Sequence, residues 1–102
     1  MNNEVMFETV LKEIVSRIVS KTISKTEIRE KVQNELETKD IWESDNFLIT
    51  DCYYALKHID EEEISIYEWK YFLECFKGHR KYDLKEKIKF ISYKENKNSN
   101  KN

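Results

Sequence analysis

The sequence predicts an all-α fold, a compact bundle of about five short helices followed by a polar tail. Three observations predict it. The 102 residues contain no Pro and a single Gly, where average usage gives roughly five and seven. Pro breaks helix interiors and tight hairpins want Gly, so a chain lacking both favours helices over sheets. Apolar residues recur at intervals of three and four, and Ser or Asp precedes three of the periodic stretches. With 39% apolar residues, two Trp, six Tyr and five Phe, the chain can bury one modest core.

The first helix runs from about Asn3 to Ser20, with Phe7, Val10, Leu11, Ile14, Val15 and Ile18 on one face. Ser24 opens the second. Glu27 stands three residues on, the spacing of a reciprocal capping box, and Ile23 is placed to staple against Ile28. Its stripe is narrow, Ile28, Val32 and Leu36, so this helix depends on its neighbours. Residues 38–44 read as a connector anchored by Ile41 and Trp42. The third helix, about Asp45 to Ile59, places Leu48, Ile49, Cys52, Ala55, Leu56 and Ile59 on one arc.

Four acids, Asp60 to Glu63, form the next loop. Ser65 with Glu68 caps the fourth helix, whose core face is Trp69, Phe72, Leu73 and Phe76, with Ile64 stapling onto Trp69. Gly78 is placed to end it in the left-handed conformation. Asp83 and Glu86 repeat the box for a short fifth helix carrying Leu84, Ile88 and Ile91. The organisation expected is one helical domain over residues 1–93 and a disordered tail over 94–102, which has nothing to bury.

Function classes narrow mainly by exclusion. No apolar run approaches the ~20 residues of a membrane span, and Glu4, Glu8 and Glu13 contradict a secretory leader. A cytoplasmic setting with reduced Cys52 and Cys75 follows as the expectation. The stretch Lys57 to Glu68 has the rear half of an EF-hand calcium loop in Ile64, Ser65 and Glu68. Its front half fails, because Lys57 and Ile59 offer no side-chain oxygen and Glu62 stands where Gly is needed. Zinc finds no workable spacing among Cys52, His58, Cys75 and His79. No motif positions a nucleophile, and one Gly cannot build a phosphate-cradling loop. The expectation is a protein without enzymatic activity, metal or cofactor.

Charge is uneven. Residues 1–26 carry four bases against three acids, 27–68 four against thirteen, and 69–102 ten against four, giving +1, −9 and +6. On helical wheels Phe47 and Tyr54 lie opposite the apolar arc of the third helix, beside Asp51 and His58. Tyr67 and Tyr71 lie away from Trp69, Phe72 and Leu73, beside Glu74. Aromatics outside a core stripe and next to acids suit a protein interface, where Tyr is enriched and a charged rim steers association. The alternative is that another helix of the same chain covers them. The expected partner-binding set is Phe47, Asp51, Tyr54, His58, Asp60, Glu61, Glu62, Glu63, Tyr67, Tyr71 and Glu74.

The segments Asp51-Cys-Tyr-Tyr-Ala-Leu-Lys-His-Ile59 and Ile64-Ser-Ile-Tyr-Glu-Trp-Lys-Tyr-Phe-Leu73, with the acidic middle, make the chain resemble a known group. It is similar to the small all-α immunity proteins of bacterial contact-dependent inhibition and related polymorphic-toxin systems. The likeness is one of size and texture over roughly residues 40–92, and it carries over no functional residue. What it implies is neutralisation of a cognate toxin, often a basic nuclease domain, by covering the active cleft. The rival reading is a nucleic-acid-associated regulator using the basic stretch from Lys77 through Arg80, Lys81, Lys85, Lys87 and Lys89. A third is a phage or mobile-element inhibitor of another host protein.

Overall fold

The computed structural model describes residues 3–99, and among these there are five α-helices and no strand. The helices are α1 (Glu4–Val19), α2 (Lys25–Lys31), α3 (Phe47–Lys57), α4 (Ile66–Phe76) and α5 (Leu84–Ser99). α4 packs against α1 on one side and α5 on another, while α1 also meets α3. The core is drawn from all four helices before α5 and from Val32, Leu36 and Ile41 between α2 and α3, with Leu11, Ile14, Val15, Leu36, Ile41, Ile49, Cys52, Tyr53, Leu56, Tyr71 and Phe72 sealed inside. Among the described residues no helix is long and apolar enough to cross a membrane.

The α1 stripe packs inward as its spacing predicts, with Ile18 only half-buried at the edge. After Lys31 the chain continues through a π turn (Val32–Leu36) and a 3-10 turn (Glu37–Lys39). The reason lies in the narrow stripe. Residues four apart overshoot an α turn by about 40° at each step. A wider turn of the backbone brings Leu36 back to the core beside Ile28 and Val32, and all three are buried. Asp40 then takes the left-handed conformation (φ 56°) and starts a second 3-10 turn, Ile41–Glu43. The expected Ile41–Trp42 anchor is half right: Ile41 is sealed, while Trp42 is exposed.

Helices α1 and α4 end in the same backbone motif. Thr22 N–H reaches Arg17 O at 2.8 Å and Lys21 N–H reaches Ile18 O; His79 N–H reaches Glu74 O at 2.9 Å and Gly78 N–H reaches Cys75 O. Both are Schellman closures, which need a left-handed residue after the cap. Gly78 fills that place at φ 82°, and Lys21 fills it at φ 61° with a Cβ to accommodate.

The predicted N-caps are present, but the reciprocal half of each box is not. Ser24 Oγ accepts from Glu27 N–H, Ser65 Oγ from Tyr67 N–H, and Asp83 Oδ1 from Lys85 N–H. The three box glutamates turn to cations instead. Glu27 pairs with Arg17 at 2.7 Å, Glu68 with Lys87 at 2.9 Å and Glu86 with Lys89 at 3.7 Å. The Arg17 hydrogen bond holds the Glu27 carboxyl below its ordinary value. A charge-assisted bond outcompetes a bond to a neutral amide, which explains the choice. The α3 cap is Asn46, whose Oδ1 accepts from Leu48 and Ile49 N–H.

α5 departs most from its sequence pattern. It is 16 residues long and takes in 94–99, which the sequence assigns to the tail; residues 100–102 of that tail lie outside the described residues. Leu84 and Ile88, expected to face the core, are exposed, and Ile91 is half-buried. The inward positions belong to Lys87 and Phe90.

Candidate functional site

Among the described residues Lys87 is the one charged side chain in the buried set, at 7% exposure. Its ammonium donates to Asp51 Oδ2 at 2.7 Å on α3 and to Glu68 Oε2 at 2.9 Å on α4, and lies 5.2 Å from the centre of the Phe72 ring. Burial alone would lower its proton affinity; the two carboxylates outweigh that and hold it above its ordinary value. Tyr82 adds a fourth group, its hydroxyl donating to Asp51 Oδ2 at 2.6 Å. Burial and the adjacent carboxylate push that phenol well up. The network locks the start of α5 onto α3 and α4.

Tyr71 belongs to the same lock and corrects the expected partner-binding set. It is sealed, not exposed. Its hydroxyl donates to Asp83 O and accepts from Asp83 N–H, both at 3.1 Å, and its ring meets Phe90 at 5.6 Å and Tyr82 at 6.2 Å. α5 covers the face that the wheel of α4 alone leaves open. Asp51 is likewise committed to an internal ion pair.

The remaining residues fall into three places. Phe47, Asp51 and Tyr54 line a cleft of about 580 Å³ between α3 and the start of α5, together with Thr50, Tyr82, Asp83 and Leu84. Phe47 is 75% exposed, Leu84 54% and Tyr54 47%, so its walls are apolar and open. Tyr54 also borders a second hollow, shared with His58, Glu62, Ile64 and Glu68. Asp60, Glu61, Glu62 and Glu63 are exposed on the α3–α4 loop beside it. Asp60 pairs with Arg29, and Glu61 meets His58 Nδ1 at 2.7 Å. Among the described residues Glu62 and Glu63 make no ion pair.

Tyr67 and Glu74 sit elsewhere, in a hollow with Lys70, Arg80, Phe90 and Lys94. Glu74 lies 3.6 Å from His79 Nδ1 and 3.9 Å from Arg80 Nε. Neither lines the α3–α5 cleft or the hollow beside the acidic loop. Sequence reasoning missed Leu84 and Ile88 as surface residues and Lys87 and Tyr82 as internal ones. The available signal was Asp51 and Glu68, two acids on half-buried helix faces that need a counter-charge from another element.

Lys87 is also subtracted from the basic stretch, whereas Lys77, Arg80, Lys81, Lys85 and Lys89 remain exposed. Arg80 stacks over Phe90, its guanidinium carbon 4.8 Å from the ring centre. Both cysteines are buried and free, and burial pushes the Cys52 thiol far above its ordinary value. Among the described residues no three His, Cys, Asp or Glu side chains converge as metal ligands. The chain matches no family model, no curated protein and no solved structure.

Proposed function

We propose that this chain is an immunity-type protein that binds a cognate toxin, a basic nuclease domain, and neutralises it by covering the active cleft. The observation that carries the reading is the position of Tyr54, half-exposed between the apolar α3–α5 cleft and the acidic hollow of Glu62 and Glu68. An aromatic with an apolar pocket on one side and carboxylates on the other suits a partner that offers cations around an apolar anchor. The unpaired Glu62 and Glu63 supply a field that speeds encounter with a basic protein.

The test begins with the product of any large secreted-toxin gene lying immediately upstream, whose toxin domain should co-purify with this chain. Reversing Glu61, Glu62 and Glu63 to Lys should slow association and weaken protection, and added salt should shrink the difference. The rival is checked with a mixed DNA and RNA pool at about 50 mM and about 200 mM salt. Tight, salt-sensitive binding that disappears when Arg80, Lys81, Lys85 and Lys89 are neutralised would replace the immunity reading with a nucleic-acid regulator.

A further inference from the structure

We infer that the α3–α5 cleft is the seat of a basic amphipathic helix supplied by the partner protein, an inference that rests on the reading above. Two facts fix the occupant. The walls, Phe47 and Tyr54 on α3 against Leu84 on α5, present aromatic and aliphatic surface that the described residues leave open. The charged residues of the lining are both acids, Asp51 and Asp83. Ile88, 55% exposed and one turn beyond Leu84, extends the apolar wall along α5. A groove between two helices with apolar walls takes an amphipathic helix through side chains at i, i+3 or i+4, and i+7.

The charge determines which helix. The Lys87 ammonium is turned inward onto Asp51 and Glu68, and its single charge leaves that cluster net negative. The neighbouring hollow adds Glu62 and Glu68 to the acids of the cleft. A helix with Lys or Arg flanking its apolar stripe finds complementary charge along the groove; an acidic helix meets repulsion. A second copy of this chain would present its own Asp83 and the same net-negative Asp51–Lys87–Glu68 cluster to their equivalents, so self-association through this face is disfavoured.

The experiment uses the whole chain, ¹⁵N-labelled, and a synthetic amphipathic peptide of Leu and Lys about 18 residues long, five helical turns. The Lys peptide should shift the amides of Phe47, Tyr54 and Leu84, and its isomer with Glu in place of Lys should not. Phe47→Ser and Leu84→Ser, both at exposed positions that leave the core intact, should each weaken binding by about tenfold. Tyr93→Ser, an exposed aromatic outside the cleft, should leave binding unchanged. Shifts centred on Glu61 to Glu63 and indifferent to Phe47→Ser would overturn the inference. So would equal binding of the Glu isomer, or no shift at about 1 mM peptide. Cleft shifts that grow with protein concentration alone and vanish in Leu84→Ser would make the face a homodimer contact instead. The two levels fail separately: if the peptide seats in the cleft while reversing the loop acids leaves neutralisation of the toxin domain intact, the immunity reading falls and the cleft stands.

Discussion

Lys87 Nζ lies 2.7 Å from Asp51 Oδ2 and joins residues 36 positions apart, the longest-range ion pair among the described residues. Removing the cation strands two carboxylates against the protein interior. Breaking a fully buried pair typically costs 3–5 kcal/mol. The Asp51 and Glu68 side chains are 28% and 22% exposed, and water reaching them reduces the penalty. Lys87→Met should therefore lower stability by about 2 kcal/mol in urea titration. Combining it with Asp51→Asn and Glu68→Gln should recover part of the loss, because the stranded charges are gone. An additive triple variant would show that the three groups do not act as a unit.

The same network, together with Tyr53 beside Glu37 and Lys57, sets the alkaline limit. Lys87 is raised above its ordinary 10.5, and Tyr53, Tyr71 and Tyr82 above 10.0. A group raised by folding contributes its full stability below its unfolded value and loses it as pH rises through the folded one. Stability should begin to fall at about pH 9, where the thiols of the unfolded chain start to ionise while buried Cys52 and Cys75 do not, and should fall steeply above about pH 10. Phenolate absorbance should show Tyr53, Tyr71 and Tyr82 ionising only as the helices melt. In Tyr82→Phe the alkaline fall should be shallower, since one buried phenol no longer titrates.

Trp69 is buried at the α4 core face and its ring meets Phe72 at 6.0 Å. Trp69→Ala leaves a large cavity and should cost about 3–5 kcal/mol. An unchanged melting temperature would contradict the packing.

The paired Schellman closures allow a symmetrical experiment. Lys21→Gly should stabilise the protein by about 1 kcal/mol, because the left-handed backbone at φ 61° costs a residue with a Cβ more than it costs Gly. Gly78→Ala should destabilise by about the same amount, although nothing lies within 4 Å of the added methyl. Opposite signs at the two sites, read as shifts in urea midpoint, would show that backbone conformation, not side-chain contact, decides both.

The sequence by itself determined the helical class, the order of the helices, the N-caps at Ser24, Ser65 and Asp83, and the Gly78 terminus. Each depends on residues a few positions apart, so local chemistry decides it: a hydroxyl or carboxylate oxygen facing an unsatisfied N–H, a stripe at helical spacing, a residue free to take positive φ. The exposure of Phe47 and Tyr54 was legible for the same reason, since the wheel of α3 already points them away from its core arc. Three things were decided by tertiary structure alone. Tyr71 is sealed because α5 folds across it; Glu27 and Glu68 leave their caps because Arg17 and Lys87 arrive from other helices. α5 turns Lys87 inward and Leu84 outward because two carboxylates on α3 and α4 demand a cation between them. A buried unpaired charge costs more than an exposed leucine, and a hydropathy stripe read along one helix carries no information about the charges waiting on its neighbours.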